Sequence, residues 1–205
     1  REAGDGKVRM LTWWEPSPDA AYLAFAMGVA GDMTGTWRVV ETATGRLLPM
    51  EIPALSYTGV IPGWLPDGSG FYLQDRAPDG NQRMRFFPVC PGTPARPDAI
   101  LGNHLVPATA PGVTPEVSPR GTRAIAVGQP HEHIAYAIGD LRTGEWRRFL
   151  PDGFKGECDG AWLDDETYVA RVHDAPRGRV VAIPAATSTD ASTWRELVPA
   201  SDAVL

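Results

Sequence analysis

Nucleophilic catalysis needs a serine presented for attack, with a histidine in reach. Serines stand at positions 17, 56, 69, 118, 188, 192 and 201, and none lies in G-x-S-x-G, the strained elbow that exposes such a serine. Ser17 and Ser118 each open a turn, Ser17-Pro18-Asp19 and Ser118-Pro119-Arg120-Gly121, where a hydroxyl caps backbone amides. With four histidines in total, a triad within this chain is not expected, and no catalytic residue is assigned. His131-Glu132-His133 is an H-x-H triplet whose imidazoles would share one face of a strand and could ligate a metal. Pro130 precedes it and it falls at a connection between strands, so a solvated loop is expected, and no metal or cofactor is assigned. His104 and His173 lack neighbouring ligand patterns. Cys90 and Cys158 match no metal or redox spacing; two buried thiols are expected, with a single disulfide left open. Glu157, Asp159, Asp164, Asp165 and Glu166 could pair carboxylates for acid–base work, but turn chemistry and a solvated rim account for them more simply. Gly68-Ser69-Gly70 reads as a hairpin turn and not a phosphate loop. Arg83-Met84-Arg85-Phe86-Phe87 alternates like a strand with one wet face, not like a stacking platform for nucleic acid.

The bulk numbers narrow the partners. A formal charge of −6 gives no general attraction to phosphate or anionic lipid, so neither nucleic acid nor membrane is expected as a partner. The longest apolar stretch, Ala20 to Ala30, is shorter than the roughly 18 residues a spanning helix takes. Of the 19 basic residues only Lys7 and Lys155 are lysines. The 22 glycines and 20 prolines in 205 residues break helix interiors and exclude a helical bundle or coiled coil. They favour many short strands joined by turns, and seven tryptophans argue against disorder.

Self-similarity organises those strands. A turn followed by an apolar strand occurs four times. Ser17-Pro18-Asp19 leads to Tyr22-Leu23-Ala24-Phe25, and Leu65-Pro66-Asp67-Gly68 leads to Phe71-Tyr72-Leu73. Ser118-Pro119-Arg120-Gly121 leads to Ala124-Ile125-Ala126-Val127, and Leu163-Asp164-Asp165 leads to Tyr168-Val169-Ala170. Turn positions 18, 66, 119 and 164 are 48, 53 and 45 residues apart, the period of four-stranded propeller blades. Alternation puts Leu23, Phe25 and Met27 on one strand face. Thr44-Gly45-Arg46-Leu47-Leu48-Pro49, Thr143-Gly144 through Pro151 and Ser192-Thr193-Trp194 through Pro199 read as hairpin turns entering each blade's outermost strand, stopped by proline. In the second blade that strand shrinks to Ala99-Ile100-Leu101. The expected fold is all-β: a partial β-propeller of about four blades of four antiparallel strands, in one domain over 1–205, with blades near 8–52, 53–103, 104–151 and 152–205.

In this order the motifs resemble the propeller of the prolyl oligopeptidase (prolyl endopeptidase) family of serine peptidases. The resemblance runs from Ser17-Pro18-Asp19 with Leu23-Ala24-Phe25 through Arg38-Val39-Val40, Thr44–Pro49 and Trp64–Tyr72. Its most specific segments are Asp174–Val181 and Trp194–Pro199, ending in Asp202-Ala203-Val204-Leu205. The resemblance implies a seven-bladed propeller capping an α/β-hydrolase domain that carries a Ser-Asp-His triad, cleavage of short peptides after proline, and a propeller that filters substrates by size. On that reading the partners are the hydrolase domain, in the same full-length polypeptide, and an oligopeptide substrate, and this chain by itself carries no triad. Tyr57, in Leu55-Ser56-Tyr57-Thr58-Gly59, matches an aromatic that helps line a distal substrate subsite in the family, with packing between blades as the alternative. Two extra residues between Gly59 and Trp64, and Gln129 where the family presents an Arg, depart from the pattern. The chain is read as a piece of a longer polypeptide, and a cytoplasmic location is expected. A stand-alone propeller acting as a binding scaffold is the alternative; a dipeptidyl or acylaminoacyl peptidase of the same superfamily is a third.

Overall fold

The computed structural model of the protein describes residues 8–30, 34–55, 60–129, 133–174 and 177–200. Among these the regular structure is strand, apart from two single-turn 3-10 helices at Ala185–Thr187 and Ala191–Thr193. The first sheet contains β1 (Arg9–Pro16), β2 (Tyr22–Val29), β3 (Thr34–Glu41) and β4 (Ile52–Leu55). The second contains β5 (Gly63–Trp64), β6 (Gly70–Arg76), β7 (Gln82–Pro88) and β8 (Ala99–Leu101). The third contains β9 (Gly112–Val117), β10 (Arg123–Gln129), β11 (Ala135–Asp140) and β12 (Trp146–Arg148). The fourth contains β13 (Cys158–Trp162), β14 (Thr167–Val172), β15 (Arg179–Pro184) and β16 (Arg195–Val198). In every sheet the strands pair antiparallel in chain order, the blade pattern expected from the repeats.

Three apolar cores lie between four sheets. Alternate residues of one strand point to opposite faces, so a sheet packed on both sides feeds two cores. In β10, Ala124 and Ala126 join Tyr72, Met84 and Leu101 of the second sheet. Their neighbours Ile125 and Val127 join Tyr168, Val172 and Val181 of the fourth. That double burial explains the unbroken apolar run Ala124–Val127. In β6, Phe71 and Leu73 pack toward the first sheet and Tyr72 toward the third. The first and fourth sheets are packed on one face only. In β2 the small Ala24 and Ala26 occupy the packed face. Leu23, Phe25 and Met27 do share a face, as alternation requires, but it is the less buried one. There Leu11, Trp14 and Leu47 are 54%, 60% and 49% exposed. Leu23, Phe25 and Val40 line the same shallow apolar depression, about 470 Å³ in volume.

The outermost strands differ in part from the reading of the repeats. Thr143-Gly144 enters β12 as expected, and Ala99–Leu101 is the whole of β8. After Thr44-Gly45, however, Leu47 makes only an isolated bridge to Val40. The ladder resumes beyond Pro49 as β4, which runs past residue 52 to Leu55. Pro53 is tolerated there because β4 is an edge strand. Before β16 the chain makes a 3-10 turn, not a hairpin, with the Asp190 side chain accepting from the Ser192 amide. Cys158 is buried and Cys90 only half-buried, and both are free thiols.

Candidate binding face

Four antiparallel strands per sheet is an even number, so every crossing from one sheet to the next leaves from the same end. The crossings β4–β5, β8–β9 and β12–β13 share that end with the β2–β3, β6–β7, β10–β11 and β14–β15 connections. The first-to-second and third-to-fourth strand connections occupy the other end. Tyr57, the candidate substrate contact, lies outside the described residues. Gln129 closes β10 at the crossing end. His131 and Glu132 also lie outside the described residues. Among the described residues no group of three or more His, Cys, Asp or Glu side chains could hold a metal ion.

A cleft of about 460 Å³ opens at the crossing end, between the β8–β9 and β12–β13 crossings. Leu105, Tyr136, Leu150 and Phe154 supply apolar wall, and His104, Arg148 and Lys155 are its basic side chains. The β12–β13 wall is shaped by Gly153 and Gly156, at φ of +72° and +126°, conformations that glycine adopts without strain. A Cβ at Gly156 would sit 2.1 Å from the His173 carbonyl oxygen. The Phe154 ring lies 6.2 Å from that of Trp194. Arg148 is anchored by Asp152 and by its Nη2, which donates to the His104 carbonyl at 3.3 Å.

At the opposite end the turns lock sheet to sheet. Ser17 and Ser118 are buried and their hydroxyls accept from the Tyr22 and Arg123 amides at 3.0 Å, the capping role expected of them. Asp165 is not part of a solvated rim. It is 1% exposed and accepts from the Arg120 amide at 2.8 Å and from the Thr122 hydroxyl. The fourth sheet's turn thereby caps the third sheet's turn. Burial pushes the Asp165 carboxyl up, but hydrogen bonds from Thr122, Arg120 and Ser118 and the Arg120 charge outweigh it, and its pKa is lowered. The rest of the acidic cluster is dispersed. Glu157 and Asp159 face Arg171 at 3.6 and 3.2 Å, and Glu166 faces Arg123 at 3.1 Å.

One carboxylate was not singled out by the sequence. Glu116, at the end of β9, takes a 2.7 Å hydrogen bond from the Tyr168 hydroxyl, and its carbonyl takes one of 2.9 Å from the Trp162 indole. Burial raises its pKa to about 7; the Tyr168 bond opposes that rise and Asp159 adds to it. Burial and the facing Glu116 charge push the Tyr168 hydroxyl up in turn. A perturbed carboxyl in a cleft would suggest acid–base chemistry. This one lies at the junction of the third and fourth sheets, away from the cleft, and its role is to join them. The first and second sheets meet in the same way: the Trp64 indole donates to the Glu15 carbonyl at 3.2 Å, and burial raises the Glu15 carboxyl. The signal available in the sequence was the residue leading into each turn: Glu15, Trp64, Glu116, Trp162.

Comparison with known proteins bears out the resemblance carried by the motifs. Residues 1–86 match the family model of the prolyl oligopeptidase N-terminal β-propeller domain, so the first sheet and most of the second carry that domain's sequence pattern. No curated protein matches the chain in sequence. Among solved structures, the chain is similar to one of two prolyl endopeptidases studied for the role of inter-domain dynamics in catalysis and specificity. The TM-score is 0.70 at 19% identity, over 98% of this chain and 30% of that one. It is also similar to prolyl oligopeptidase B from Galerina marginata. Bound to a 35mer hydrolysis and macrocyclization substrate, that enzyme gives a TM-score of 0.69 at 18% identity, over 98% of this chain and 30% of that one. Its apo form gives 0.70 at 17% identity, over 95% and 29%. These likenesses establish the propeller fold. The chain spans about 30% of the length of the structures it matches.

Proposed function

We propose that the chain is the propeller portion of a prolyl-oligopeptidase-type serine endopeptidase that cleaves short peptides after proline. The observation that carries this reading is the match of residues 1–86 to that family's propeller domain, within four sheets joined in succession by three buried cores. The triad is supplied by an α/β-hydrolase domain elsewhere in the full-length polypeptide, and this chain contributes a gate. A gate needs walls too stiff to admit a folded protein. The three buried cores and the locked turns between sheets supply that stiffness. Tyr57 on the β4–β5 crossing is the candidate contact to substrate. Two free thiols suit a reducing compartment, and the proposal extends to the cytoplasm.

The stand-alone scaffold fits less well. A sheet face carrying Leu11, Trp14, Leu23 and Phe25 in the open is a face built to be covered. The discriminating experiment is to assay the full-length gene product on a fluorogenic proline-containing dipeptide, with and without a serine-directed phosphonate. Hydrolysis after proline that the phosphonate abolishes is the expected result. Absence of both hydrolysis and phosphonate labelling overturns the reading. A strict need for a free N-terminus would turn it toward a dipeptidyl peptidase.

A further inference from the structure

The crossing-end cleft combines an apolar wall with one ammonium, that of Lys155, beside the His104 imidazole and the Arg148 guanidinium. Arg148 is engaged by Asp152 and the His104 carbonyl, whereas Lys155 has no hydrogen-bond or ion-pair partner among the described residues. Lysine is scarce here, with Lys155 one of two among 19 basic residues. Its placement is specific: Gly153 and Gly156 bracket Phe154 and Lys155, and the His173 carbonyl leaves no room for a side chain at Gly156. Phe154 rests on Trp194, so the segment presenting Lys155 is supported from behind.

We propose that this cleft binds the C-terminal carboxylate of a peptide whose last side chain is apolar or aromatic. The carboxylate pairs with the Lys155 ammonium, and the side chain covers Leu105, Tyr136 and Leu150. A single free ammonium suits a monoanion. A phosphate group is ordinarily held by several converging donors, whereas Arg148 is already engaged by Asp152 and the His104 carbonyl. A volume of about 460 Å³ accommodates the last one or two residues of a peptide. The choice of peptide over other amphipathic carboxylates rests on the oligopeptidase reading.

The test is calorimetric titration of the full-length gene product, pretreated with a serine-directed phosphonate, with acetyl-Ala-Ala-Phe as the free acid and as its C-terminal amide. The acid is expected to bind three- to tenfold more tightly than the amide at low ionic strength, with the preference shrinking in 0.5 M salt as an exposed ion pair is screened. Lys155→Ala is expected to abolish the preference and Lys155→Arg to keep it, both with an unchanged melting temperature because the side chain is exposed. Equal affinity for acid and amide, binding of neither, or a preference that survives in Lys155→Ala overturns the proposal. Failure of the oligopeptidase reading is seen separately, as absence of phosphonate labelling and of proline-directed cleavage.

Discussion

Replacing Glu116 with glutamine keeps the shape of the third-to-fourth sheet junction and removes its titration. In the folded protein the carboxyl titrates near pH 7, against an ordinary value of 4.5, and burial is the main cause. Between those values the folded state holds a proton that the unfolded state has released, so stability falls as pH rises from about 4.5 to 7 and is level above. Ionising this carboxyl in place costs about 3 kcal/mol. Lowered carboxyls such as Asp165 act in the opposite direction and at lower pH, so the difference between parent and Glu116→Gln isolates the one group. Melting temperatures of both proteins, as full-length gene products, should coincide near pH 4.5 and separate by pH 8, with Glu116→Gln the more stable. Tyr168→Phe should deepen the alkaline loss, since the hydroxyl it removes holds the charged form. The ring alone fits, because the matching place between the first two sheets is taken by Phe71, edge-on to Trp64 at 4.9 Å. Parallel parent and Glu116→Gln curves from pH 4.5 to 8 would refute the reasoning.

Three further outcomes follow from the same geometry. Asp165→Ala strips the third sheet's turn of its acceptor and should cost about 2–4 kcal/mol at pH 7, read from urea midpoints. Because the Asp165 pKa is lowered, that contribution is present at neutral pH and is lost as pH falls below 4, so parent and variant should converge in acid. Gly63→Ala would drive a Cβ to 2.1 Å from the Pro115 carbonyl oxygen, and thermal melting should show a loss of about 1–3 kcal/mol. Expressed alone, the 205-residue chain should self-associate through the open face of the first sheet, and Trp14→Glu with Leu23→Glu should shift its light-scattering mass toward monomer.

The sheets were legible because turn chemistry and strand alternation are local. Ser17-Pro18-Asp19 and Ser118-Pro119 needed no partner sheet to declare themselves. What each face packs against is not local. Leu23, Phe25 and Met27 look like the core of β2, yet the core took Ala24 and Ala26, because a neighbouring sheet that brings Trp64 and Phe71 needs small residues opposite. Asp165 is indistinguishable in sequence from the solvated Asp164 beside it; only the Arg120 amide and Thr122 hydroxyl of another sheet make it a buried hook. Leu47 makes only an isolated bridge, and the chain resumes pairing beyond Pro49. At the candidate site, Lys155 was visible only as a rarity, and the cleft beside it exists through two crossings separated by more than forty residues.

The junctions between sheets carry a longer period than the sheets themselves. Glu15 pairs with Ala24 and meets Trp64, which pairs with Phe71. Glu116 pairs with Ile125 and meets Trp162, which pairs with Tyr168. At the middle junction Trp64 and Glu116 are each turned to the other neighbour, and Gly63 packs directly against the Pro115 backbone. First-to-second and third-to-fourth are therefore one kind of joint and second-to-third, with its own shared core, another. The polar joints tie each pair through an indole–carbonyl bond, and only the later one adds a phenol that holds the glutamate carboxyl. The middle joint is tied instead by side chains bonded to backbone: the Tyr72 hydroxyl donates to the Leu141 carbonyl at 3.2 Å, the Gln82 amide to the Ala110 carbonyl at 3.1 Å, and the Thr114 hydroxyl of β9 accepts from the Ile61 amide at 3.4 Å.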